Sequence, residues 1–353
     1  MKKLFTALAL TSAFAGVAHA QSAVEMYGVV DMGFVAESGP TPVLPTSTPA
    51  GVTKITPVKK LTSGVQSGTR LGFKGTENLG NGMKALFVLE TGIAADAGGY
   101  NQNNTAFARQ SFFGLQSDLG TLTLGRQYVP LFNTMMVADP FAAGMAGAAQ
   151  NLMPTGGIRM NNAIKYTSPV FGGFSTEVAY GFGETVDSSS KGQERSAAIN
   201  YSAGNLKAAL AFNDWTEKVV DTSTNPATIS FRANRKDWFL AANYDLKVAK
   251  IFAGMTDTDF GGVKSNDYLI GAQVPFGNHT FIASYINKDV RNAANRDANQ
   301  IALGYTYAFS KRTNLYASWG RIDNDSAVSY RVGNNSEAGT GEKAFNFGLR
   351  HLF

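Results

Sequence analysis

The chain has 353 residues, with 31 Lys and Arg against 26 Asp and Glu, and a formal charge of +5. It has no cysteine and three histidines, which excludes disulfide scaffolds, thiolate metal sites, cysteine nucleophiles and a histidine-rich metal centre. At 44% hydrophobic and 16% charged residues it is not a disordered chain, yet no stretch after the leader offers the roughly 18 apolar residues of a membrane helix.

Residues 1–20, MKKLFTALALTSAFAGVAHA, read as a cleaved export signal. Lys2 and Lys3 form the basic start, residues 4–17 the apolar stretch, and Ala18-His19-Ala20 the cleavage site. A membrane anchor is the bland alternative, disfavoured because the apolar stretch is short and ends at a cleavage signal. Residues 21–353 then form one domain with 29 basic and 26 acidic residues. That charge of +3 is too weak to suggest nucleic acid. An exported chain without cysteine suits a bacterial envelope.

The mature chain shows period two rather than helical period, in short runs separated by Gly, Asn, Asp, Ser and Pro. Leu206, Ala208, Leu210 and Phe212 alternate with Lys207, Ala209, Ala211 and Asn213. Trp238, Leu240, Ala242 and Tyr244 repeat the pattern, as do Tyr268–Val274, Ile301–Tyr307 and Leu315–Trp319. The last run places Phe345, Phe347, Leu349, His351 and Phe353 on one face. A soluble sandwich and a membrane barrel both produce such strands.

Three features favour the barrel. Short connections (203–205, 276–278, 310–312) alternate with long polar ones (38–63, 187–193, 219–234, 290–298, 323–342), as periplasmic turns alternate with outer loops. Tyr and Trp sit at strand ends, where lipid meets water. The chain ends on Phe353, with apolar residues two steps apart before it, broken only by His351. About 16 strands of about 10 residues fit the length, although fourteen or eighteen also satisfy the count.

Six blocks carry a family likeness along the mature chain. They are VEMYGVVDMGF (24–34), TRLGFKGTENLGNGMKALFVLE (69–90), RQSFFGL with GTLTLGRQ (109–115, 120–127), NAIKYTSPVFGGF (162–174), YAFSKRTNLY (307–316) and GLRHLF (348–353). In this order they resemble the general-diffusion porins of Gram-negative bacteria, of the betaproteobacterial type. The resemblance implies an all-β fold: a 16-stranded antiparallel transmembrane β-barrel with an inward-folded constriction loop. It implies a homotrimer in the bacterial outer membrane, passive diffusion of small hydrophilic solutes and ions, and no cofactor. Phe353 resembles the signal read by the barrel-assembly machinery. By the same likeness the trimer interface uses the first and last strands, through residues such as Phe345 and Phe347.

The segment 128–159 is too apolar for an exposed loop, with Leu131, Phe132, Met135, Met136, Val137 and Phe141. It matches the family's inward-folded third loop, with Asp139-Pro140-Phe141 near its tip; a lid or lipid-touching loop is the alternative. Asp139 is the only acid between Tyr128 and Lys165. Alternation points Arg70, Lys84 and Lys165 inward, and Arg159 ends the loop. Strict alternation puts Arg109 and Arg126 on the lipid side, at a cost of about 2–4 kcal/mol for each at mid-bilayer, which a bulge or a higher position avoids. The family likeness nevertheless matches Arg70 and Arg109 to its constriction cluster, so both are expected at the constriction, and Arg126 is expected there with them. Several cations facing Asp139 predict modest anion preference and a transverse field.

Other signals carry less. Gly181-Phe182-Gly183 lacks a phosphate-loop spacing, no GxSxG elbow occurs, and His279 and His351 stand at strand ends, so catalysis is not expected. Asp257 and Asp259, in residues 255–262, could touch a divalent cation in an outer loop, although a solvated loop is the simpler account and no metal site is assigned. Lys54, Lys59 and Lys60 could meet lipopolysaccharide. The competing functional class is a surface-binding or adhesive barrel with a blocked lumen; an exported sandwich enzyme is a weaker third.

Overall fold

The computed structural model describes residues 23–42, 52–184, 191–216, 218–221, 228–231, 233–291, 296–325 and 328–353. The export signal and the connection 43–51 lie outside them, as do parts of the loops after residues 184, 221 and 291. The wall is made by β1 (Ala23–Pro42), β2 (Val52–Ser63), β3 (Arg70–Gly80), β4 (Met83–Ala94), β5 (Gln110–Ser117), β6 (Gly120–Tyr128), β7 (Arg159–Thr167) and β8 (Phe174–Gly181). It continues through β9 (Glu194–Ala203), β10 (Leu206–Trp215), β11 (Arg235–Asp245), β12 (Lys250–Phe260), β13 (Val263–Phe276), β14 (His279–Arg291), β15 (Ala298–Ala308), β16 (Thr313–Asn324) and β17 (Lys343–Leu352). Each successive wall position pairs antiparallel with the next, and β17 closes on β1 from Val29↔Leu352 to Ser38↔Lys343. β2 and β3 share one position: both pair with the same edge of β1, through Met32↔Ser63 and Val29↔Arg70. The barrel therefore has 16 wall positions, and residues 64–69 are an insertion within the second.

The alternation read from the sequence is the alternation of the wall. Trp238, Leu240, Ile270, Leu303, Phe345 and Phe347 are exposed on the outer face. Their neighbours Asp237, Phe239, Leu269, Ala302 and Asn346 are buried on the inner one. An apolar outer face is the solution a closed sheet finds in lipid, where every backbone group must be paired within the sheet. At the turn end, His279, Phe281, Tyr305, Tyr307 and Phe309 pack ring to ring as a girdle.

Two expected outer loops are in fact strand. Residues 38–63 are mostly the upper halves of β1 and β2, paired as far as Pro42↔Val52. Above the lipid a strand needs no apolar face, so Thr, Pro and Lys there resemble a loop. Residues 255–262 are the end of β12 and the two-residue turn Gly261–Gly262. Asp257 accepts from Asn266 Nδ2 and Asp259 from the Gly262 N–H, so neither belongs to an open cation-binding loop.

Candidate pore constriction

The third outer connection, residues 129–158, lies inside the barrel. It opens with helix α1 (Pro130–Ala138), whose proline occupies the first turn, where no intrahelical N–H bond is lost. Leu131, Phe132, Met135 and Ala138 of α1 are buried in one cluster with the inward alanines Ala163, Ala179, Ala198, Ala211 and Ala241. Small wall residues leave the groove and the helix fills it. Further along, the loop follows a track of wall glycines. A Cβ added to Gly254, Gly271 or Gly304 would lie 2.9 Å from Ala138 Cβ, 2.6 Å from Pro140 Cγ or 2.6 Å from Phe141 Cε1. At Gly320 it would lie 2.3 Å from the Ala146 carbonyl oxygen.

Asp139 does not face the pore. It is 2% exposed, and its carboxylate accepts the backbone N–H groups of Phe141, Ala143 and Ala149 at 2.8–2.9 Å. Burial lifts this carboxyl to about 6, while the three N–H donors pull it down. Asp139 thus folds the loop tip rather than opposing the cations, and the expected transverse field from it does not arise.

Two further segments turn inward. The insertion 64–69 is held by Asp31, which accepts the N–H groups of Gln66 and Ser67 and the Tyr316 hydroxyl. In the last connection, expected over 323–342 as a long outer loop, residues 328–342 fold onto the third loop instead. Asn335 ties all three segments: its N–H donates to Val65 O, its Nδ2 to Ala143 O, and its Oδ1 accepts from Gly68 N. Glu337 meets Lys60 and Thr62, so Lys60 is engaged inside the wall rather than offered to lipopolysaccharide. Between the two loops a cavity of about 570 Å³ remains, lined by Gln150, Asn151, Tyr330, Arg331 and Glu337 among others.

The expected basic residues divide into three groups. Arg70, Arg109 and Arg159 come together around Glu90 and Tyr128. Arg109 Nε is 2.8 Å from Glu90 Oε1, Arg70 Nε is 3.5 Å from Oε2, and Tyr27 donates to the same carboxylate. The Tyr128 hydroxyl accepts from Arg109 and Arg159, and the Arg159 guanidinium lies 4.7 Å from the Tyr128 ring centroid. Arg109 escapes lipid because the ladder bulges: its N–H donates to Glu90 O, although Gln110 is Glu90's register partner. Lys165 forms a second group, pairing with Glu177 at 2.8 Å, and Glu177 also accepts from Asn133 of α1.

Lys84 and Arg126 stand apart. Lys84 shares the inward face but sits beside the Asn81–Gly82 turn, six residues and about 20 Å of strand from Glu90. Arg126 stays on the outer face opposite Ser111, in line with the exposed Leu122 and Leu124. There a bulge sets both Asn161 and Asn162 against it, and its guanidinium donates to Ala108 O and Asn161 Oδ1. Strict alternation therefore holds for Arg126 and fails for Arg109. Phe353 closes the seam, exchanging backbone hydrogen bonds with Gly28. Sequence reasoning missed Tyr128, Asn335, Arg350 and Lys288. Lys288 donates to Asp267 and to Leu152 O, pinning the far arm of the third loop.

A closed antiparallel barrel with an apolar exterior, narrowed from within by its own loops, defines a membrane channel of the porin class. The chain belongs to the Gram-negative porin family, whose profile matches residues 6–327. It is 32% identical to outer membrane porin protein 32 of Delftia acidovorans, over 100% of both chains. It is 30% identical to an outer membrane porin protein of Bordetella pertussis, over 90% of this chain and 93% of the relative. Among solved structures it is similar to an anion-selective porin from Comamonas acidovorans (TM-score 0.77, 30% identity, 94% of this chain and 100% of that one). A Vibrio cholerae outer membrane protein solved in a trimer form shares the fold (TM-score 0.69, 14% identity, 94% of this chain and 99% of that one). The protein is accordingly an outer-membrane diffusion channel for small hydrophilic solutes, and its strands cross the membrane.

Proposed function

We propose that this porin is a homotrimeric, water-filled channel with a modest preference for anions, acting on its solutes by passage alone and not by catalysis. One observation carries the preference: among the described residues, most interior ion pairs bury the acid and show the base. Side-chain exposure is 25% for Lys60 against 1% for Glu37, 25% for Arg70 against 4% for Glu90, and 29% for Arg235 against 0% for Asp237. Lys288–Asp267 has the same sense with a smaller margin, while Arg109–Glu90 and Lys165–Glu177 bury both partners to nearly the same degree. The pairs Lys60–Glu337 and Lys74–Glu25 have the opposite sense, the acid being the more open partner (33% against 25% and 61% against 49%), and they offset part of this bias. An ion in the lumen meets the charge that pore water reaches. At about 4 Å in water a unit charge contributes about 1 kcal/mol, more where the dielectric is lower. The preference therefore falls as salt screens it.

Residues 1–20 export the chain and are removed, and the barrel-assembly machinery reads the terminal Phe353. Trimer contact uses the outer faces of the first and last strands, where Phe345 and Phe347 are each 46% exposed. Outer-membrane lipid and lipopolysaccharide surround the trimer. Single-channel conductance in potassium chloride, Tris chloride and potassium MES tests this function. Current steps closing in threes, reduced far more by a bulky anion than by a bulky cation, are expected. The reverse order overturns the anion preference. Stably inserted protein that passes no current returns the function to a surface-binding barrel with a blocked lumen.

A further inference from the structure

We infer that Arg350, on the closing strand, is a further selectivity-determining residue, acting with Arg70 across the insertion 64–69. This rests on the anion preference proposed above. Arg350 and Arg70 lie on opposite edges of β1, opposite Asp31 and Val29 in register, two residues apart on its inner face. Their backbones are therefore separated by two strand spacings, about 10 Å, and about two residues of rise. Both side chains close that gap onto one short segment. Arg350 Nη1 donates to Ser67 Oγ at 3.0 Å, and Arg70 Nη1 to the adjacent Gly68 O at 3.1 Å. Arg350 Nε donates to Asn314 Oδ1, whose Nδ2 donates to Gln66 Oε1 of the same segment.

Arg70 pairs with Glu90 yet stays 25% exposed against 4%, and the acid beside Arg350, Asp31, is withdrawn from the pore surface. Asp31 is 0% exposed, and both its oxygens are taken by Gln66, Ser67 and Tyr316. Asp31 is the positioning residue: it braces the insertion that sets the two guanidinium groups side by side. Neutral partners such as Ser67 and Asn314 orient Arg350 without neutralising it. The two arginines form a step in the lumen that an anion meets beside the Glu90 cluster.

The test compares wild-type protein with Arg350→Gln, Arg350→Lys and Ser67→Asp by zero-current potential in a potassium chloride gradient. Each protein is first shown to resist SDS until heated. Arg350→Gln and Ser67→Asp are each expected to lower the chloride-to-potassium permeability ratio about tenfold at low salt, because one unit charge about 6 Å away in water shifts chloride and potassium about threefold each in opposite senses. Arg350→Lys, which keeps the charge, is expected to retain the ratio. Wild-type ratios in Arg350→Gln and Ser67→Asp overturn the assignment. So does an Arg350→Lys loss equal to that of Arg350→Gln, because Arg350 would then be a brace only. If Arg350→Gln does not assemble, Ser67→Asp decides alone. A wild type without anion preference refutes the proposed function itself, whereas an anion-preferring wild type with unmoved variants refutes only Arg350.

Discussion

Gly320→Ala tests how the third loop is seated. The added Cβ would stand 2.3 Å from the Ala146 carbonyl oxygen, 3.0 Å from its carbon and 3.1 Å from its Cβ. Relaxed contacts between such atoms lie nearer 3.5 Å, so the loop backbone must retreat by about 1 Å. The obstacle is backbone, tied at its N–H to Ser318 Oγ, and no side-chain rotation relieves it. Overpacking of this kind costs about 1–3 kcal/mol. The displacement is away from the wall, toward the pore axis, so the single-channel conductance of Gly320→Ala should fall and large neutral sugars should permeate liposomes more slowly. Gly304→Ala meets only the ring edge of Phe141 at 2.6 Å, which can swing aside, and should have the smaller effect. Equal and wild-type conductance in both variants would refute the seating of the loop on the glycine track.

Other perturbations probe other links. Arg70→Ala removes a guanidinium that pore water reaches and should move the zero-current potential toward that of potassium. Arg109→Ala should do the same and also lower the heat stability of the assembled protein, since it strips a buried carboxylate of its closest cation at a cost of about 3–5 kcal/mol; a cation shift without loss of stability would contradict the buried pairing with Glu90. Asn335→Ala deletes two hydrogen bonds between the inward segments, worth about 0.5–1.5 kcal/mol each, and should raise open-channel noise in single-channel records. Burial raises the Asp139 carboxyl to about 6 in the seated loop, so protonation favours that state. The stabilisation is present near pH 4 and lost as pH rises through about 6. Open-channel noise should therefore increase between pH 5 and 7.5 in wild type and stay flat in Asp139→Asn.

Period two revealed which face of nearly every strand meets lipid, because lipid imposes the same demand at every outward position. It revealed the inward loop for the converse reason: Leu131, Phe132 and Met135 have no place in an exposed connection. Where the environment is not uniform, the pattern lost its meaning. The upper parts of β1 and β2 stand clear of lipid, so their composition resembles a loop, and Arg109 sits at a bulge that alternation cannot see. The fate of Asp139 was hidden because three backbone N–H groups, not an opposing side chain, determine it. The inward turn of the last loop depends on Asn335 meeting Val65 and Ala143, residues more than 190 positions away in the chain. Arg350 carried its signal in plain alternation, since it is the one charged residue on the face of the final strand opposite the aromatic one. Its link to Ser67 required the insertion to be seen.

The central claim is that buried acids and open bases make the lumen basic to a passing ion. Its most direct test is the zero-current potential of purified, unboiled wild-type protein in a planar bilayer under a tenfold potassium chloride gradient, at low and then high mean salt. The structure predicts a potential with the sign of chloride that shrinks as salt rises. A potential with the sign of potassium at low salt would contradict it.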